Sequence, residues 1–345
     1  MPNWGVTGFL VRSGNQLAFS ARQLHVFDLT GTLLWSTDYP SFDVSVGSVS
    51  ADTEGNYYQF ADKLYSYDSA GVKRYSVDFG DTSQGGDTFS PAPIVRGADD
   101  LFFHSVDGFV RRLDARTGAR KWETPAEKKA AGVRAVAGVL VDANRGALWS
   151  IESGKPSQAS SNGKRYFPLA AVSNGALWAH QVTDVPSSTN VIAVDGCFHP
   201  LRPESTVAGG MAVIDAAERF WETWIDGGSL KFAALTLNSV SAPSLAGPPS
   251  LVGADGTIYG MSIGGGTPAT TLISWTRSDG ASDSLVVEGK IAYPTLGDDG
   301  VLHALSQESD GIYLVAVQTR SPGLADGPYP MLRVDNRRSG WPKAH

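Results

Sequence analysis

The sequence predicts an all-β chain, a β-propeller of about eight four-stranded blades, with seven as the alternative count. Three observations predict it. One hairpin pattern, an apolar strand, a turn rich in Asp, Asn or Gly, then a strand with an aromatic or His, recurs eight times along the 345 residues. A second hairpin pattern lies between the copies of the first. Almost no window sustains the 3.6-residue apolar period of a helix, and Gly (39) and Pro (19) interrupt the chain too often for long helices.

The first pattern begins at Ser13-Gly14-Asn15, before Leu17-Ala18-Phe19. It returns at Asp52 to Asn56, at Ala98-Asp99-Asp100 and at Asp142 to Gly146, the last before Ala147-Leu148-Trp149. Further copies lie at Ser173-Asn174-Gly175, Asp215 to Glu218, Ala254-Asp255-Gly256 and Asp298-Asp299-Gly300. Their spacing is mostly about 40 to 45 residues, the length of one four-stranded blade. One interval, between the copies near Arg145 and Asn174, is only about 30, so the hairpin around Glu152-Ser153-Gly154 is expected to be abbreviated.

In the second pattern Asp opens a turn, Gly supplies a left-handed residue, and an aromatic follows four positions after Gly. Asp28, Gly31 and Trp35 make one copy; Asp68, Gly71 and Tyr75 make another; Asp114, Thr117, Gly118 and Trp122 make the fullest. Asp195-Gly196, Asp226-Gly227 and Asp279-Gly280 keep the turn and lose the aromatic. These residues are assigned a structural role. Each blade covers only its neighbours' faces, and a buried Trp hides roughly 150–250 Å², worth at most about 4–6 kcal/mol. The Ala- and Lys-rich stretch Thr124 to Val133 is the one short helical candidate, read as a loop decoration.

Composition narrows the function. A net charge of −7 gives no electrostatic footprint for nucleic acid, and the basic stretch from Arg111 to Arg134 is interrupted by Asp114, Glu123 and Glu127. Cys197 is alone, which excludes an intramolecular disulfide and a cysteine cluster for metal. The longest apolar run, around Ala135 to Val141, is far short of the roughly 20 residues of a membrane helix. The first residues, Met1 to Gly5, do not read as a secretion leader, so the chain is either cytoplasmic or given without its leader.

No Gly-x-Ser-x-Gly elbow occurs, and the Gly-Lys pairs at Gly154, Gly163 and Gly289 stand in turns without a phosphate-cradling loop. Gly264-Gly265-Gly266 reads as a loop tip. The histidines are dispersed, but His104, His180 and His303 are each expected to end the second strand of a first-type hairpin, which makes them a candidate ligand site facing the channel. Asp52-Thr53-Glu54 and Asp298-Asp299 are read as turn openers in preference to calcium ligands.

The segment Arg112-Leu113-Asp114-Ala115-Arg116-Thr117-Gly118-Ala119-Arg120-Lys121-Trp122 resembles the tryptophan-docking repeat of the pyrroloquinoline-quinone-like propeller superfamily. The copies at Asp28 and Asp68 match with one residue fewer, the second with Tyr for Trp. The ending Tyr329-Pro330-Met331-Leu332-Arg333-Val334-Asp335 to Gly340 is similar to a short segment that often flanks such repeats. Strong matches cover about a third of the chain.

The resemblance implies two kinds of relative. Quinone-dependent dehydrogenases hold the cofactor and calcium over the channel, their alcohol-oxidising members with a vicinal cysteine pair that Cys197 alone cannot make. Propeller lipoproteins of the outer-membrane assembly machinery hold no cofactor and act as scaffolds. The chain is read as closer to the second kind: a single domain over residues 1–345, with 329–345 latching the ring, without cofactor or catalytic residues. It is expected to be a monomer that presents loops to a protein or peptide partner. By resemblance alone it is placed outside the cytoplasm, periplasmic or secreted. The alternatives are a quinone/calcium-dependent dehydrogenase and a carbohydrate-binding propeller using Trp221 and Trp224.

Overall fold

Strand alternation and Asp-Gly turns build the molecule from antiparallel meanders. The structure is a computed structural model. It describes residues 10–20, 23–37, 49–60, 63–78, 93–104, 110–123, 133–136, 139–142, 147–150, 156–159, 165–171, 177–182, 189–194, 205–206, 213–214, 220–226, 229–235, 240–241, 245, 249–264, 269–277, 280–308 and 310–326. Among these residues there is no helix, and the strands form eight antiparallel sheets, seven of four strands and one of three. In each sheet the strands follow in chain order, each paired with the next.

The first sheet shows why these residues form strands. Val11–Ser13 and Gln16–Ser20 are joined by a turn at Gly14-Asn15, Leu24–Asp28 pairs with the second strand, and Leu33–Ser36 closes the outer edge. Leu17, Ala18, Leu24 and Val26 are buried, whereas Leu33 and Leu34 on the last strand are exposed. The second sheet runs from Val49 to Val77 and the third from Ile94 to Glu123. The fourth to sixth sheets span Val133 to Ala159, Arg165 to Thr206 and Val213 to Ser241. The seventh spans Pro249 to Glu288, and the eighth has the three strands Lys290–Leu296, Val301–Gln307 and Ile312–Gln318.

The abbreviated interval proves to be a complete sheet. The strands Val133–Val136, Val139–Asp142, Ala147–Ser150 and Pro156–Ala159 are four residues each, so the saving lies in strand and loop length. Two hairpins sit elsewhere in their sheets than their turn residues suggested. Asp142 to Gly146 joins the second and third strands of the fourth sheet, and Asp226-Gly227 joins the second and third strands of the sixth. Asp and Gly favour a reversal wherever it falls and do not specify which two strands it connects. The helical candidate at 124–133 lies outside the described residues, except for Val133, which begins a strand.

The chain divides into two compact units, residues 1–131 with 150–155 and 336–341, and residues 132–149 with 156–335 and 342–345. Apolar clusters fill the spaces between successive sheets within each. In the first unit, Val11, Leu24 and Val26 of the first sheet pack with Val49, Tyr57 and Tyr67 of the second. Tyr58 and Leu64 of the second sheet pack with Val95, Leu101 and Leu113 of the third. In the second unit, Leu251, Tyr259 and Ile273 of the seventh sheet pack with Ile291, Leu302 and Ala304 of the eighth. The core is therefore laminar, one layer per sheet-to-sheet space, as expected when each small sheet lies face to face with the next.

Candidate functional site

Asp28, Asp68 and Asp114 each hold a turn by accepting backbone hydrogen bonds from residues just ahead. Asp28 Oδ1 accepts from the amides of Thr30 and Thr32 at 2.9 and 2.8 Å, and Asp68 Oδ1 from Ala70 and Val72, both at 2.9 Å. Asp114 Oδ1 accepts from the amides of Arg116 and Thr117 at 3.0 Å and from the Thr117 hydroxyl at 3.1 Å. Asp28 and Asp114 are held below the usual carboxylate range: at Asp28 the Thr30 hydroxyl is the main cause, and at Asp114 partial burial opposes the shift but Thr117 and Lys121 outweigh it.

The aromatics that follow the first two turns are seated on the turn of the next sheet. Trp35, on the last strand of the first sheet, donates its indole N–H to the carbonyl of Ser69 at 3.0 Å, and its ring lies edge-on to Tyr57 and tilted on Tyr67. Gly71 lies under this ring: a Cβ there would stand 2.7 Å from the indole. Tyr75, on the last strand of the second sheet, donates its hydroxyl to the carbonyl of Ala115 at 3.0 Å, and a Cβ on Gly118 would stand 2.7 Å from its ring. Gly71 and Gly118 have φ of 84° and 74°, so each glycine serves two needs at once, a left-handed turn and a flat seat for a ring. Trp122 occupies the matching place on the third sheet, opposite Arg112, while the corresponding turn of the fourth sheet lies outside the described residues. In all three sheets the pairing shifts by one residue just beside the aromatic, between Val26/Phe27, Ser66/Tyr67 and Arg112/Leu113.

The seventh sheet lacks both the ring and the shift. Its turn has Gly280 at φ 82°, but the residue four positions on is Ser284, and its last two strands pair without interruption, Trp275 opposite Asp283 and Ser274 opposite Ser284. A cleft of about 350 Å³ opens at this place between the seventh and eighth sheets. Trp275 and Ile273 form its wall on one side and Leu302 and Val317 on the other, with Arg277, Asp283 and Arg320 around its mouth. Tyr259 also lines it, and burial raises the pKa of its hydroxyl despite the opposing effect of Thr319. The lining also includes Thr257, Ser282, Gln318 and Thr319, so the cleft offers hydrogen-bonding groups beside its apolar surface.

Two solved structures share this arrangement of sheets over nearly their whole lengths. BamB from Moraxella catarrhalis matches with a TM-score of 0.60 at 14% identity, over 92% of this chain and 95% of that one. The fold is that of a BamB-like β-propeller. The computationally designed Ika8 protein matches with a TM-score of 0.57 at 14% identity, over 90% of this chain and 96% of its own. No protein-family model and no curated protein matches the sequence.

In this BamB-like chain His104 and His180 occupy equivalent places and His303 does not. The strand-two residue that pairs with the residue just before the outer turn is Leu101, Leu177 or Leu302 in the respective sheets. His104 and His180 stand three residues beyond it, His303 only one. His104 ends its strand, whereas His180 and His303 lie within theirs because those strands run to six and seven residues. His303 is buried and pairs with Thr295 and Ala316. Among the described residues, no group of three or more His, Cys, Asp or Glu is placed to hold a metal ion.

The carboxylates near the calcium-like motifs are engaged within the fold. Asp52, 2% exposed, accepts from the amides of Glu54 and Asn56, the Asn56 side chain and the Tyr58 hydroxyl, the last at 2.7 Å. Asp299 accepts from the Val301 amide. The basic stretch is paired in the same way: Arg111 with Glu123, Arg112 with Asp100, Arg116 with Glu54, and Lys121 with Asp100. Trp221 and Trp224 lie in one strand, Phe220–Asp226. The docking rings were legible as a repeat; the cleft was not, because its residues come from positions 257 to 320 and carry no common motif.

Proposed function

We propose that this propeller is a non-enzymatic scaffold that presents its loops to a protein or peptide partner. The observation that carries the reading is one of length. The match to BamB accounts for 92% of this chain, leaving little for the insertions that would build a cofactor pocket. The engagement of Asp52, Asp100 and Asp114 in turns and ion pairs supports it further. In this reading the eight sheets are the eight blades of one domain, and residues 329–345, outside the described residues, serve as its latch. The scaffold works outside the cytoplasm and as a monomer.

The experiment that tests the function is reconstitution with pyrroloquinoline quinone and calcium, followed by titration calorimetry and dye-linked oxidation of alcohols and aldoses. The scaffold reading expects no binding at micromolar quinone and no turnover. Turnover abolished by a single substitution in the channel would refute it in favour of a dehydrogenase. A truncation ending at residue 328 tests the latch: it should lower the melting temperature of the whole domain, and unchanged melting would argue against it.

A further inference from the structure

The cleft between the seventh and eighth sheets corresponds, position by position, to the seats that hold Trp35 and Tyr75. In the second sheet the inner hairpin is closed by Asp52 and Asn56 and followed by Tyr57, which pairs with Tyr67; Trp35 packs on both tyrosines and bonds to the carbonyl two residues after Tyr67. In the eighth sheet the same hairpin is closed by Gly297 and Val301 and followed by Leu302, which pairs with Val317; two residues after Val317 comes Thr319. Leu302, Val317 and Thr319 all line the cleft. The third sheet follows the same count: Leu101 pairs with Leu113, and two residues on is Ala115, the acceptor for Tyr75.

The receiving half of the joint keeps its pairing count and its acceptor position, with Ser321 standing where Gly71 stands, while the delivering half is changed. Asp283 stands opposite Trp275 where Trp35 stands opposite Val26, and two tyrosines of the seat are replaced by smaller Leu and Val. We propose that this cleft is a docking seat without a ring of its own, which receives a tryptophan side chain from a partner polypeptide. The Thr319 carbonyl, which accepts from Gln318 Nε2 at 3.1 Å on the exposed side, is the acceptor for the incoming indole N–H. Arg320 is exposed at the mouth, so the recognised segment carries a carboxylate beside its tryptophan. The proposal rests on the scaffold reading and names the chemistry of its partner.

The test is titration of methyl-labelled protein with the peptide Ac-Asp-Trp-Asp-NH2 and with its Ala counterpart, read by NMR. The Trp peptide should shift the methyl resonances of Leu302 and Val317, and the Ala peptide should not. Asp283→Trp should weaken the peptide at least tenfold by filling the seat, with folding checked by circular dichroism. Arg320→Glu, at an exposed position, should weaken the acidic peptide while leaving N-acetyl-tryptophan amide unaffected. Absence of the methyl shifts at millimolar peptide, equal shifts from the Ala peptide, or shifts that survive Asp283→Trp overturn the proposal. So does a nuclear Overhauser contact from these methyls to an indole of the same chain other than Trp275, which already walls the cleft, or dimerisation through this face, since either gives the seat a different occupant. None of these results touches the quinone assay, so the scaffold reading stands or falls separately.

Discussion

Trp35 donates its indole N–H to the carbonyl of Ser69, 34 residues further along the chain, at 3.0 Å. The bond ties the outer strand of one sheet to the outer turn of the next. Both flanking sheets are too small to bury a core alone, and the ring covers the edge of the apolar layer they share. Trp35→Phe retains most of the ring and loses the hydrogen bond, for an expected cost of about 1 kcal/mol. Trp35→Ala opens the layer, for about 3 kcal/mol. Urea unfolding of the two variants checks the order and the gap.

The hydroxyl of Tyr58 lies on the buried Asp52 carboxylate and receives Arg74 Nη1 at 3.1 Å. Burial, reinforced by Asp52, raises the Tyr58 pKa above the ordinary tyrosine value, so the phenol stays protonated through the physiological range and acts as a donor to the carboxylate. Tyr58→Phe removes one of the donors to Asp52 and leaves that oxygen undersupplied inside the protein. A loss of about 1–3 kcal/mol is expected by denaturant melting, larger than for Tyr313→Phe, whose hydroxyl meets Asp310 at the exposed surface.

Acid should weaken the first unit through Asp100. Its side chain is desolvated, which on its own would raise the pKa, but a bidentate bond from Arg112 at 2.9 and 2.8 Å and a third from Lys121 lower it below the ordinary carboxylate value of 3.8. A folded-state pKa below the unfolded one stabilises the protein at higher pH, and that stabilisation is lost as pH falls through the unfolded and then the folded value. Stability measured from about pH 6 down to about pH 3 should therefore decline in the lower part of that range. Asp100→Asn should be less stable at neutral pH and show a shallower decline. A variant with the parent's slope would assign the acid sensitivity to other carboxylates.

Gly71 and Gly280 separate backbone strain from ring seating. Both have φ near 80°, where an added Cβ costs roughly 1–2 kcal/mol. At Gly280 a Cβ meets nothing within 4 Å, so Gly280→Ala should cost only that amount. At Gly71 the Cβ would enter the Trp35 ring, and Gly71→Ala should cost about 1–2 kcal/mol more. Thermal melting of the two variants gives the comparison.

The fold was legible because turn chemistry is local. Asp28, Asp68 and Asp114 with their glycines mark reversals that depend on three to five adjacent residues, and the recurring aromatics mark the spacing. Strand rank was less legible: Asp226-Gly227 carries the same signal as Asp68 to Gly71, yet joins the second and third strands of its sheet. The last two strands of the seventh sheet pair without the one-residue shift beside the cleft, which no residue type announces. A signal was nevertheless present. Ser284 stands four residues after Gly280, where the first three sheets carry Trp35, Tyr75 and Trp122.

A double-mutant cycle of Trp35→Ala and Gly71→Ala tests most directly whether rings from one sheet are seated on the glycine of the next. If they are, Gly71→Ala in the Trp35→Ala background costs no more than Gly280→Ala does in the parent, and the pair couples by about 1–2 kcal/mol. Strict additivity of the two substitutions would contradict the account.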